Sequence, residues 1–251
     1  MEKNYFIAIR DTIAFIFNHP AVLVFTLLRV ILFGLIYIFA TYFYPDLQLE
    51  NLVKNTDIFF QKNCFTVLPC GLLILYGFLA AGLGVGLATS RYVQTVLRQI
   101  STINLQAMHF GQNIVASLIW SMLLTPCYFY IFRYFLGQPN VAPLLYFLTP
   151  IPLLIMLLVL LPTFFLAPVL TQNKSGRSLR ATFASSLGVM RHNFGKTILF
   201  ILIFYVLAEV AVFVLLNAVN HEQILMQVLI GLGLALLVTI KDVFKTFVAI
   251  E

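Results

Sequence analysis

The chain has 251 residues, of which 61% are hydrophobic and 10% are charged, with a mean hydropathy of +0.99. A soluble domain has about a quarter of its residues charged, so this chain lacks the charge needed to cover a water-facing surface. The composition also excludes a disordered chain, and three cysteines are too few for a disulfide-rich secreted module. A polytopic α-helical membrane protein remains. In such a protein a net charge of +6 describes orientation and gives no case for nucleic-acid binding.

Apolar stretches of the length that a membrane span requires, about 20 residues, occur six times. The predicted spans are roughly 20–44, 64–90, 113–136, 141–171, 196–218 and 224–248. The fourth contains five prolines and is expected to be kinked or broken, with a membrane portion as short as 146–168. Six spans predict an all-α fold, a single domain over residues 1–251 made of three transmembrane hairpins.

The distribution of basic residues orients these hairpins. Eleven of the fifteen Lys and Arg residues lie in the N-terminal segment, in the connectors after spans 2 and 4, and at the end of span 6. Three lie on the opposite side, and Arg29 lies inside span 1. This asymmetry predicts that both termini are cytoplasmic. Lys241, Asp242 and Lys245 are interpreted as the charged cytoplasmic end of span 6.

Each cytoplasmic segment ends in a histidine before the next span, at His19, His109 and His192. The segments are predicted to be amphipathic interfacial helices that precede the three hairpins. This arrangement suggests three repeats of about 1–90, 91–173 and 174–251. The alternative is that basic connectors of a polytopic protein align by chance.

The third segment shows the amphipathic pattern in most detail. Leu179, Phe183, Leu187 and Met190 follow helical spacing, whereas Ser186 and the basic residues lie mainly elsewhere. Basic residues at the cytoplasmic interface attract anionic lipid head groups. The predicted anionic-lipid contacts are Arg177, Arg180, Arg191 and Lys196.

Two stretches resemble the YciC family of bacterial inner-membrane proteins. IRDTIAFIFNHPAVLVFTLL at 9–28 resembles the family's opening, in which an Arg-Asp-Thr leads into the first span. LAPVLTQNKSGRSLRATFASSLGVMRHNF at 166–194 resembles the family's later cytoplasmic segment. The length and the six-span layout also agree, whereas residues 64–160 match mainly in hydropathy. The resemblance implies an uncharacterised protein of the bacterial inner membrane and supplies no catalytic or binding residues.

Two charged residues lie within predicted spans, Arg29 in span 1 and Glu209 in span 5. A charge near the bilayer centre costs roughly 2.5–3.5 kcal/mol on insertion scales, so a paired arrangement is expected. We therefore predict an ion pair that joins the first and third hairpins. The alternatives are that Arg29 extends to the cytoplasmic face, or that Glu209 serves as a proton or cation site in a transporter.

Span 2 contains Gly82 and Gly86 at the GxxxG spacing, which lets helix backbones approach closely in lipid. Packing within one chain is the principal interpretation, and a homodimer interface is the alternative. The same run is no nucleotide site, because it lies inside a span and lacks the Lys-Ser/Thr of a phosphate loop.

No enzymatic, cofactor or metal signature is present in the sequence, which has no GxSxG, HExxH or CxxC motif. The first functional hypothesis is therefore a non-enzymatic membrane scaffold or assembly partner, with lipids and another membrane protein as partners. The second is a small transporter or lipid-handling protein that uses a polar site near Glu209. The prolines of span 4 favour this second role slightly, because broken helices are common where transporters bind substrate.

Overall fold

The computed structural model describes residues 5–43, 68–98, 103–136, 161–172, 178–192, 194–195, 197–201, 203, 207 and 224–250. This part of the chain is helical and contains no strand, as the composition predicts. Its helices are α1 (Tyr5–Asn18), α2 (Leu23–Phe43), α3 (Leu68–Arg98), α4 (Ile103–Leu136), α5 (Leu166–Gln172), α6 (Leu179–His192) and α7 (Ile224–Ile250).

A short break separates α1 from α2. The residue before a proline is disfavoured in the helical conformation, and His19 accordingly has φ −129° and ψ 68° before the 3₁₀ turn Pro20–Val22. The His19 amide still donates to the Phe15 carbonyl over 2.8 Å, which closes the last turn of α1. The segment before span 1 therefore forms a helix of its own, as predicted.

The second connector differs from the prediction. Residues 91–98 are the last two turns of α3, and α4 already begins at Ile103 and continues to Leu136. The prediction of a separate interfacial helix over 91–109 is therefore wrong. The physical reason is local, because no proline or glycine interrupts the chain between Ser90 and Arg98, and Val93 and Gln94 are buried against neighbouring helices.

Contacts along α3 establish the relative directions of three helices. The ring of Phe33 contacts that of Phe78, and Phe25 contacts Tyr92, so α2 and α3 are antiparallel. Asp242 lies against Gly86, and the next turn of α7 places Thr246 on Ser90. Helices α3 and α7 are therefore parallel, and both run opposite to α2.

Residues 161–172 lie in the interior beside α6 and the end of α7. A turn over 161–165 precedes α5, and in this turn the Leu166 amide bonds to Thr163 rather than to Pro162. The Pro162 carbonyl accepts a hydrogen bond from the Ser186 hydroxyl instead. Phe165 is fully buried in a cluster that includes Met190 and Ala249. Residues 161–165, near the end of the predicted fourth span, therefore form a turn rather than a regular helix.

The distribution of side chains differs from that of a soluble protein. Large apolar residues are exposed along α2 and α7, whereas Thr, Ser, Gln and charged side chains are buried between the helices. Pro20–Tyr42 and Leu72–Leu97 are long and apolar enough to cross a membrane, by length and composition. Only 17% and 22% of their most apolar 18-residue stretches is buried, whereas a core helix of a soluble protein would be mostly buried. Extensive exposed apolar surface is typical of helices that contact lipid.

Candidate functional site

The centre of the α2, α3 and α7 interface is an ion pair. Arg29 projects from α2 and is completely buried. Its Nη1 donates to the Thr239 hydroxyl over 2.7 Å, and its Nη2 pairs with Oδ2 of Asp242. Both acceptors belong to α7, one turn apart. The charge that the sequence places inside span 1 is therefore matched by a carboxylate inside the same bundle.

The hydroxyl of Thr239 is fully used. It accepts from Arg29 and, over 2.9 Å, from the hydroxyl of Thr26, one turn earlier on α2. Its own proton goes to the Ala235 carbonyl at 3.0 Å. A hydroxyl has one proton to donate and two lone pairs, so this residue has no capacity left. Because it is saturated and buried, it orients the guanidinium and stabilises the pairing of α2 with α7.

Helix α3 closes the site from the other side. Gly86 lies so close to Asp242 that a Cβ built on this glycine would be 3.0 Å from Oδ2. One turn further on, the Thr246 hydroxyl lies 2.9 Å from Oγ of Ser90 and 2.7 Å from the Asp242 carbonyl oxygen. The glycine thus leaves room for the carboxylate, and the hydroxyl pair joins α3 to α7 beside it.

A second cation lies next to the ion pair. The Nζ atom of Lys245 is 4.0 Å from Oδ1 of Asp242 and 3.8 Å from the centroid of the Phe164 ring. Only 11% of the Lys245 side chain is exposed. Lys241, half-buried one turn earlier, adds another positive charge to the same stretch of α7. Packing by Phe164 and α2 removes Asp242 and Lys245 from solvent, so these two residues of the predicted cytoplasmic end of span 6 are buried.

Polar contacts also attach residues 161–172 to their neighbours. The side-chain amide of Gln94 donates to the Pro168 carbonyl over 3.2 Å and to the Thr171 hydroxyl. On α6, Ser186 is completely buried against Pro162. Placing Ser186 on the polar side of this helix is therefore wrong, since the free proline carbonyl draws the hydroxyl inward.

The residues singled out in the sequence have different positions. Glu209, Arg177 and Lys196 lie outside the residues whose side chains the structure describes. Arg180 and Arg191 are exposed on α6. These placements leave Asp242 as the described acid that pairs with Arg29.

The two glycines of the GxxxG pair both face neighbours in the same chain. A Cβ built on Gly82 would lie 3.8 Å from the ring of Phe33. Gly86 faces Asp242 and Ala167. They belong to the contact of α3 with α2, α5 and α7. This geometry accounts for both small residues by packing within one protomer.

Sequence reasoning missed Asp242 and Lys245, although a signal was present. Thr239, Asp242 and Thr246 follow an i, i+3, i+7 spacing, which places them on one face of α7. Thr26 and Arg29 have the corresponding spacing on α2. Polar residues that share one face of an apolar helix indicate a buried polar interface, because the lipid-facing side carries none of them.

Comparisons with known proteins give no relative: no family model matches the chain, and neither a curated protein nor a solved structure matches it. Within the described residues, no group of three or more His, Cys, Asp and Glu side chains is arranged to hold a metal ion. The chemistry of the site is therefore inferred from its own residues. The cluster can hold charges in fixed positions and has more cationic than anionic side chains.

Proposed function

We propose that the protein is a six-span integral protein of the bacterial inner membrane, built as three hairpins with both termini in the cytoplasm and similar to the YciC family. The relative helix directions support this topology. In this topology span 1 runs outward from the cytoplasm, whereas spans 2 and 6 run inward. Helix α2 is antiparallel to both α3 and α7, which agrees with these directions. The exposed apolar residues of α2 and α7 supply the lipid-facing surface.

Topology can be tested by reporter fusions. A fluorescent protein that matures only in the cytoplasm should be active when fused after Glu251 and inactive when fused within residues 45–63. An alkaline phosphatase, which is active only outside the cytoplasm, should give the reverse pattern. Fluorescence from both positions would contradict the proposed number or direction of spans.

Within this membrane placement, we propose a non-enzymatic role as a scaffold or assembly partner. The observation that carries the proposal is the Arg29–Asp242 pair, which joins α2 to α7. The guanidinium of Arg29 is bonded both to Asp242 and to Thr239, so the pair holds the two helices together rather than presents a reactive group. Removing one member of such a pair strands a buried charge, which favours a permanent contact.

The scaffold role predicts a stable protein partner. The full chain would be extracted in native lipid particles without detergent and analysed by mass spectrometry for bound proteins and small molecules. We expect the wild type to retain one membrane protein in fixed proportion. Asp11→Asn, which loses only an exposed ion pair on α1, should retain the same protein. Asp242→Asn, which disturbs the bundle, should lose that partner. Recovery of one small ligand in fixed proportion, with no protein, would contradict the scaffold role.

A transporter or lipid-handling protein is the second candidate, and one observation favours it. Span 4 ends in the broken segment 161–165, whose Phe164 lies against the ammonium of Lys245. A discontinuous helix beside a buried charge is a common form of ligand site in membrane proteins. The sequence predicts the polar site near Glu209, whereas the described part of the chain has buried charges at Arg29, Asp242 and Lys245.

A further inference from the structure

The charges buried at the α2–α7 interface do not balance within the described residues. Arg29 and Lys245 both lie against one carboxylate, that of Asp242. We call Arg29, Asp242 and Lys245 the cationic cluster. A surplus of positive charge in a low-dielectric interior is costly unless an anion compensates it.

Two donors of the cationic cluster have bonding capacity left within the described part of the chain. The Nε of Arg29 is buried and has no hydrogen-bond acceptor. The ammonium of Lys245 has three protons to donate, yet its nearest described carboxylate oxygen is 4.0 Å away, beyond hydrogen-bond distance. The face of the Phe164 ring covers it at 3.8 Å but offers no lone pair. These donors suit an oxygen-rich anion.

A bound cation or a proton is the opposite of what the cluster requires. Either would add positive charge beside Arg29 and Lys245, and protonation of Asp242 would leave both cations without their common partner. An anion removes the imbalance and gains charge-assisted hydrogen bonds from the lysine ammonium. The sign of the surplus therefore selects the class of ligand.

The depth of Lys245 selects phosphate among anions. In α7 the uncharged run 224–240 precedes Lys241, Asp242 and Lys245. In the proposed topology α7 runs toward the cytoplasm, so Lys245 lies on the cytoplasmic side of this run, where the lipid head groups begin. Basic pockets between spanning helices on this side bind phosphate-bearing head groups.

We propose that the cationic cluster binds one phosphate-bearing anion, held by Lys245 between α7 and the Phe164 turn, with Arg29 supplying further positive potential. The shared chemistry is a phosphate group, whether it belongs to an anionic phospholipid or is free in the cytoplasm. The inference rests on the proposed membrane placement and not on the scaffold role.

The test uses the full chain in nanodiscs of phosphatidylcholine, with or without phosphatidylglycerol. Native mass spectrometry counts the phosphatidylglycerol molecules that remain after the nanodisc is stripped, and thermal unfolding is followed in parallel with added inorganic phosphate. We expect one retained phosphatidylglycerol in the wild type. Lys245→Gln, which removes the charge and shortens the side chain by one bond, should weaken retention at least about tenfold, a change of roughly 1.4 kcal/mol.

Two control variants separate a site from general attraction to an anionic surface. Lys245→Arg keeps the charge and should keep the lipid. The Arg10 side chain on α1 is 75% exposed. Arg10→Gln removes this exposed charge and should also keep the lipid. Equal losses in Lys245→Gln and Arg10→Gln would overturn the proposal, because the attraction would then be unspecific.

The outcomes also distinguish the source of the phosphate. Retention of phosphatidylglycerol with no effect of inorganic phosphate indicates a lipid head group. Thermal stabilisation by inorganic phosphate in pure phosphatidylcholine, lost in Lys245→Gln, indicates a free phosphate. If the Lys245 variant does not fold, the wild type alone decides, since a wild type that retains no phosphatidylglycerol and does not respond to phosphate contradicts the proposal. Reporter fusions test the membrane placement separately, so failure of that placement is recognised independently.

Discussion

Asp242→Asn should destabilise the protein more than Arg29→Met, although both break the same ion pair. Without the carboxylate, Arg29 stays buried with only the Thr239 hydroxyl, and Lys245 loses its described anion. Removing one partner of a buried pair costs about 3–5 kcal/mol. Without Arg29, the carboxylate keeps Lys245 at 4.0 Å, an attraction of about 4 kcal/mol at an effective dielectric constant near 20 before desolvation is counted. We therefore expect a loss of about 1–3 kcal/mol for Arg29→Met.

The double variant tests the coupling directly. Because Arg29→Met in the Asp242→Asn background removes a charge that is already stranded, the double variant should be no less stable than Asp242→Asn alone. The free energy of unfolding would be measured by titration with SDS in mixed micelles, with tryptophan fluorescence as the signal. The matched control is Asp11→Asn, in an ion pair whose Arg10 side chain is 75% exposed, and it should cost at most about 1 kcal/mol. Strictly additive losses, or equal losses for Asp242→Asn and Asp11→Asn, would refute the reasoning.

Two further predictions concern packing. Gly86→Val should cost about 1–3 kcal/mol, because the new side chain would meet the Asp242 carboxylate, whereas Gly84→Ala has open space and should be neutral or stabilising by up to about 1 kcal/mol in the same SDS titration. Trp120, the single tryptophan, is 8% exposed and stacked on Phe183 at 5.9 Å. Its emission should be blue-shifted and weakly quenched by both acrylamide and brominated lipid; strong quenching by brominated lipid would instead place the indole on the outer surface.

Several features of the protein follow from sequence alone for simple physical reasons. Composition predicts the helical class, because a chain with so few charges cannot cover a soluble surface. The break at Pro20 follows from the backbone restriction that proline imposes on His19. Such features can be predicted because they depend on composition or on residues that are adjacent in the chain.

The partners of the buried charges were decided by tertiary structure. The sequence indicates that Arg29 needs an acid, but the pairing with Asp242 joins residues 213 positions apart, a choice that depends on the directions and rotations of α2 and α7. The same holds for Lys245. Its position near the end of an apolar helix is typical of a charged helix end, and only the tertiary structure shows that Phe164 covers it. Hydropathy and spacing determine which face of a helix is polar. Only the packing of helices against one another determines whether that face meets water, lipid or an opposite charge.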